Sequence, residues 1–391
     1  MQSLETDVVI AGAGPAGATM ALMLAGSGLK VMIVDKDRFP RNKICGDALS
    51  GKVLSILKRM PGDAWNRFLS NVPKTPAYGI RFISPGMYDW DFRFTTDDST
   101  SSLGYICPRR TFDAFLVSEL KRHDDIRLLE GETARSLEHD SDSVSLITDH
   151  YRIRGRILAG ADGVHSIVRS TLTGAKRETD QLCTGIRAYY EGVTGFRGNG
   201  FIELFFIREL LPFYCWIFPE ADGKCNVGLA MARRSISVQK VNLGEVLERI
   251  TRTHPGIAPR FASARLSGKP EAHSLPLGMP PGPFSGDRIL LLGDAAYLVD
   301  PFTGEGIGNA MASGEVAARV VNTCAGTGDY SARSLHAYDR QLMRRLGRGL
   351  RISALLNRLA RNPSLFDFAV NGMKKNKAFR GLVLTFLYPG S

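Results

Sequence analysis

Three kinds of residue in this 391-residue chain have types and spacings that could do chemistry. The first is a thiol. Cys45 lies in the run Arg41-Asn-Lys43-Ile-Cys45-Gly46-Asp47, where neighbouring cations would help hold a thiolate or a reactive thiol. The second is a row of rings. In Pro212-Phe-Tyr214-Cys-Trp216-Ile-Phe218-Pro219, Tyr214, Trp216 and Phe218 alternate, so on a strand they share one face while Cys215 and Ile217 take the other. Such a face is either a buried aromatic core or the wall of an apolar cavity. The third is a glycine set with an acid. Gly12-Ala-Gly14-Pro15-Ala16-Gly17 permits a tight turn, a close backbone approach to a pyrophosphate and close helix–strand packing, with a helix N-terminus facing the phosphate charge. Asp35, followed by Lys36, stands 23 positions beyond Gly12, where an acid accepts from a ribose hydroxyl. The set points to dinucleotide binding and by itself does not separate NAD from FAD.

These residues need elements to hold them. Residues 7–10 read as a short buried strand, 15–27 as a helix and 30–34 as a second strand, which is a βαβ start. Residues 111–122 read as an amphipathic helix, 126–161 as several short strands, and 185–231 as strands of an antiparallel sheet. A helix over 243–253, a buried strand over 288–292 and a helix over about 306–325 follow, and most of 331–361 is helical. With α/β segments enclosing a β-rich middle, the economical arrangement is a discontinuous nucleotide domain over 1–72, 101–182 and 275–330. A substrate sheet over 73–100 and 183–274 is inserted into it, and a basic helical region occupies 331–391.

The composition is that of an ordinary globular protein, with 44% hydrophobic and 23% charged residues. The six cysteines lack CxxC spacing and the seven histidines lack metal-ligand spacing, so neither a disulfide framework nor a metal site is indicated. A reducing, cytoplasmic setting fits best. The N-terminus has no signal-peptide pattern, and no stretch has the roughly 20 apolar residues of a membrane span.

Two later segments resolve the cofactor. Asp162-Gly163-Val-His165-Ser166 follows a strand, and Gly293-Asp294-Ala-Ala-Tyr-Leu-Val-Asp300-Pro301-Phe-Thr-Gly304-Glu-Gly306-Ile307-Gly308 follows another. Together with the N-terminal set and Arg109 ahead of Phe112-Asp113, they resemble the aromatic-hydroxylase branch of the FAD-dependent oxidoreductases. The Cys45-Gly46 pair and the YxWxFP strand narrow this to a resemblance to the geranylgeranyl reductase family. The resemblance implies a Rossmann-like FAD-binding domain of the glutathione-reductase/aromatic-hydroxylase type, with an inserted antiparallel substrate sheet and a helical C-terminus. It implies FAD contacts from Gly12, Gly14, Pro15, Ala16, Gly17, Asp35, Lys36, Cys45, Gly46, Arg109, Asp162, Gly163, Gly293, Asp294, Gly304, Gly306 and Ile307. For Arg109 a surface salt bridge remains the competing reading. Cys45, Tyr214 and Trp216 become catalytic candidates beside a prenyl cavity.

The activity so implied is saturation of C=C bonds in an isoprenoid chain by hydride transfer from reduced flavin. The alternative is a monooxygenase or halogenase of the same fold, and a non-catalytic prenyl carrier is a third reading. No second GxGxxG exists, so NADPH or another electron donor is expected to act transiently. The net charge of +11 is concentrated in residues 331–391, which hold twelve basic and two acidic residues. Drawn as one helix, Arg340, Arg344, Arg348, Arg351 and Arg358 share a face opposite Leu342, Leu346, Leu350 and Leu356. That face is either a solvated surface or a patch resting on the anionic inner face of a membrane. Nucleic acid is not an expected partner, whereas a prenyl lipid is.

Overall fold

The structure is a computed structural model describing residues 1–93, 104–174, 182–196, 200–220, 223–278 and 282–375. Residues 94–103, 175–181, 197–199, 221–222 and 279–281, which fall within the expected domain ranges, lie outside the described residues. So does the 376–391 end of the basic region.

Val8–Ala11 is buried along its whole length, as befits a central parallel strand covered on both faces. It pairs with Val31–Asp35 on one side and Ile157–Gly160 on the other. The full sheet runs Ser285–Gly286, Ile289–Leu291, Ile157–Gly160, Val8–Ala11, Val31–Asp35, Ile126–Glu130, and only the first strand is antiparallel. Helix Pro15–Leu24 opens on a proline, whose fixed φ suits a first helical turn. It crosses helix Ile307–Thr327 so closely that a Cβ on Gly314 would stand 2.3 Å from the Ala16 carbonyl oxygen.

A seven-stranded sheet forms the second layer, in the order Arg265–Pro276, Leu182–Glu191, Lys224–Ala232, Cys215–Pro219, Phe201–Phe205, Gly79–Ile83, Asp89–Arg93. It is antiparallel apart from the pairing of Phe201–Phe205 with Gly79–Ile83. The alternation expected at 214–218 is present. Tyr214, Trp216 and Phe218 join one apolar cluster, and Cys215 and Ile217 join the other, beneath helix Leu243–Thr253.

The helix expected over most of 331–361 is present, with a π-helical turn set into it. The region runs Ala332–Leu342, the π-helical turn Met343–Gly347, Arg348–Leu359 and then Pro363–Lys375. A π-turn shifts the helical phase, so the five arginines do not form one straight stripe. Leu342, Leu346 and Leu350 are buried as expected. Arg351 and Arg358, however, share the outward face with the exposed Leu355 and Leu359.

Candidate active site

A continuous cavity of about 1510 Å³ runs from the glycine-rich turn to the aromatic strand. At one end the turn is shaped by contact. Gly12 has φ 104°, and a Cβ there would stand 2.3 Å from the Ala161 carbonyl oxygen; at Gly17 a Cβ would stand 2.0 Å from the Gly12 carbonyl oxygen. Gly14 is different. Its open flank faces the cavity, and the nearest group is the Arg41 guanidinium at 3.6 Å. Pro15 and Ala16 line the cavity beside it.

Asp35 ends its strand with the Ala13 and Asp37 N–H groups donating to its carboxylate at 2.8 and 2.9 Å. It and Lys36 line the same end. Asp162 accepts from the Ile167 N–H at 2.8 Å through Oδ2, while its Oδ1 is buried with no hydrogen-bond partner. Burial pushes this carboxyl up from its ordinary range. An open glycine flank, a guanidinium beside it and an unsatisfied acceptor on the cavity wall fit a pyrophosphate and a ribityl or ribose hydroxyl. The residues present therefore suit FAD.

The other expected cofactor residues divide in two. Gly163, Asp294, Gly304, Gly306 and Ile307 line the cavity. Gly17 and Gly293 do not; a Cβ on Gly293 would stand 3.1 Å from those of both Ala16 and Ala310, so its part is to let two helices close on the strand end. Arg109 is not a surface ion pair. Its buried guanidinium grips Asp113 through Nε and Nη2, each at 2.7 Å, with one edge on the cavity.

At Cys45, of the thiolate and the reactive thiol expected, the surroundings favour the thiol. Burial, and then the nearby Asp47 charge, push the thiol up from its ordinary value, so it keeps its proton. The flanking cations are engaged elsewhere: Arg41 Nη1 lies 3.0 Å from Asp113, and Lys43 Nζ lies 3.1 Å from His273 Nε2. Burial and the Lys43 charge bring His273 down to about 4, so its neutral ring accepts from Lys43.

Sequence reasoning missed what holds this loop in place. Asp47 is fully buried at φ 64°. Its Oδ2 accepts from Tyr189 Oη and Asn226 Nδ2, each at 2.7 Å, and its Oδ1 accepts from the Arg109 N–H at 3.1 Å. Asn226 Nδ2 also donates to the Cys45 carbonyl at 2.9 Å, and Asn226 Oδ1 accepts from Trp216 Nε1 at 2.9 Å. The Cys45–Asp47 loop is thereby tied to the second sheet. Gly46 fits beneath Phe218, where a Cβ would meet the ring at 2.9 Å.

The polar handles of both wall aromatics are taken up by protein partners. Trp216 gives its N–H to Asn226, and Tyr214 gives its hydroxyl to the Thr303 carbonyl. Burial raises the Tyr214 phenol, which stays neutral. The two rings meet edge to face at 6.4 Å and 74°. Beyond them Ala77, Ile80, Phe82, Phe92, Ile202, Leu204, Phe213 and Phe302 continue the apolar wall. Among the described residues no cluster could hold a metal ion, and no helix is long and apolar enough to cross a membrane.

Comparison with known proteins agrees with this geometry. Residues 5–190 match a family model described as an FAD binding domain. A digeranylgeranylglycerophospholipid reductase of Methanopyrus kandleri is 30% identical over 353 residues, covering 86% of this chain and 82% of that protein. A menaquinone reductase of Mycolicibacterium smegmatis is 28% identical, covering 90% and 84%. Among solved structures, a geranylgeranyl bacteriochlorophyll reductase-like protein of Thermoplasma acidophilum superposes with a TM-score of 0.85 over 99% of this chain and 98% of that one, at 20% identity. A flavin-dependent brominase superposes at 0.78, with 22% identity over 98% and 93%. With a cradle suited to FAD, an apolar wall facing it and these relatives over nearly its whole length, the chain belongs to the geranylgeranyl reductase family of FAD-dependent oxidoreductases.

Proposed function

We propose that the enzyme saturates C=C bonds of an isoprenoid chain. The observation that carries this reading is the continuity of the cavity: the dinucleotide cradle opens directly onto a long aromatic and aliphatic sleeve. A small aromatic substrate, as in the halogenase reading, does not call for so many apolar lining residues. Bound FAD, once reduced by NADPH or another transient donor, supplies two electrons as hydride. Gly14, Arg41, Asp35, Asp162, Asp294 and the Gly304–Ile307 turn would hold it.

An isolated alkene has no carbonyl to accept charge, so positive charge builds on the more substituted carbon as a proton arrives. Tyr214 and Trp216, with their polar atoms tied to Thr303 and Asn226, present ring surface to that charge; each such contact contributes roughly 0.5–2 kcal/mol. They also exclude water. Cys45, which keeps its proton, is assigned as the proton-holding group of this wall. Anaerobic mixing of the reduced protein with a geranylgeranyl lipid tests the reading. The expected result is reoxidation of the cofactor and a gain of two hydrogens per bond; oxygen-dependent turnover without saturation would overturn it.

The C-terminal helices suit a lipid surface. Leu355, Leu359, Leu365 and Phe368 stand 56%, 44%, 43% and 70% exposed, beside Arg351, Arg358 and Lys375. Apolar side chains rimmed by arginine and lysine match an anionic bilayer, from which a prenyl substrate would be drawn.

A further inference from the structure

We infer that Arg344 and Arg348 form a phosphate clamp at the cavity mouth, gripping the head of the prenyl substrate while its chain lies in the sleeve. The inference rests on the isoprenoid reading and narrows it to an anionic-headed lipid.

The cavity lining includes Arg344, Arg345 and Arg348 together with Leu346 and Leu350, and the three arginines are exposed, which puts them where the cavity meets solvent. Charge compensation there is uneven. Arg345 is paired with Glu315, and Lys52, another cation of the lining, is held by Glu305 at 3.2 Å and Asn309 at 2.6 Å. Arg344 and Arg348 are exposed and have no carboxylate within ion-pair distance among the described residues. Two uncompensated guanidiniums are thus left on the cavity lining.

The backbone is specialised at the same place. Arg344 lies on the π-turn and Arg348 directly follows it, and π-turns recur at functional sites. The turn is packed tightly as well, since a Cβ on Gly347 would stand 2.8 Å from Met343 Cε. The Gly14 flank that suits the FAD pyrophosphate has its own cation, Arg41, so FAD does not account for this pair.

A guanidinium fork matches phosphate oxygens with two parallel hydrogen bonds. A neutral quinone head offers no such counter-charge. The relatives are named for both kinds of head, phospholipid and menaquinone. The mouth of this chain favours the phosphate. That phosphate belongs either to a glycerophospholipid or to a free prenyl diphosphate.

The test uses the FAD-loaded full chain in detergent, with no bilayer present. Digeranylgeranylglycerophosphate, geranylgeranyl diphosphate and uncharged geranylgeraniol are compared as substrates. In Arg344→Gln/Arg348→Gln, KM for the phosphate-bearing substrates is expected to rise about tenfold or more, with kcat within about twofold. KM for geranylgeraniol and FAD content should not move, and Arg344→Lys/Arg348→Lys should recover part of the loss. Loss on both phosphate substrates assigns the clamp to phosphate in general; loss on one alone assigns it to that source. In wild type, inorganic pyrophosphate should compete with the charged substrates only.

Equal loss on geranylgeraniol, or no loss on any substrate, overturns the clamp and leaves isoprenoid reduction standing. Failure of wild type to reduce all three lipids overturns the functional reading itself.

Discussion

Cys45 and Asp47, two positions apart, show how a residue's setting decides its chemistry. A thiol beside cations suggests a thiolate, yet burial and the Asp47 carboxylate hold it protonated. Iodoacetamide should therefore alkylate Cys45 more slowly than free cysteine at pH 7, with the rate rising only above the ordinary thiol range; fast labelling at neutral pH would contradict this. Asp47 carries the opposite lesson. Asp47→Ala leaves the Tyr189 hydroxyl, one Asn226 N–H and the Arg109 N–H without their acceptor. Each buried donor so orphaned costs about 1–3 kcal/mol, and the loss should appear as a large fall in Tm together with weaker FAD binding. The glycine set and Asp35 were legible in the sequence because their geometry is local. Asn226 was not: it reaches Asp47 across 179 positions and Cys45 across 181, and nothing in its neighbours marks it.

The turn Thr303–Gly306 and the strand Cys215–Pro219 act as a coupled pair of elements. Tyr214 reaches from the end of the strand to the Thr303 carbonyl, and its hydroxyl lies 2.9 Å from where a Gly304 Cβ would be. Gly304 also sits at φ 71°, which costs a side-chain-bearing residue roughly 1–2 kcal/mol. Gly304→Ala should weaken FAD binding about tenfold in a fluorescence titration. Adding Tyr214→Phe removes the contact but not the strain, so part of the loss should return. Full recovery would mean that the backbone conformation is irrelevant. From the other side, Asn357 Nδ2 donates to the Pro301 carbonyl at 2.7 Å, so the C-terminal helix Arg348–Leu359 also fixes this turn. The alternation of the strand was legible at period two. The helix's role was not, because amphipathicity gives a buried face without saying what covers it, and the π-turn leaves no mark in a 3.6-residue pattern.

On the scale of the whole molecule, exposed leucines and Phe368 stand among arginines on the C-terminal helices. The protein should sediment with anionic vesicles at low salt and be released by high salt. Leu355→Glu/Phe368→Glu should lose binding while still reducing detergent-solubilised substrate; indifference to lipid charge would remove this surface from the account. One feature of the first sheet reaches into the life of the chain before it works at all. Val8–Ala11 needs Ile157–Gly160 as its neighbour, and that strand in turn needs Ile289–Leu291. During synthesis the early βαβ unit therefore gains Ile157–Gly160 after about two fifths of the chain, and that strand then waits with an unpaired apolar edge until about three quarters has left the ribosome. The cofactor cradle closes only when Ile307–Thr327 arrives against Pro15–Leu24. A nascent chain of this topology exposes unpaired apolar edge through much of its translation, and the cradle that would hold FAD is complete only once residues 307–327 are in place.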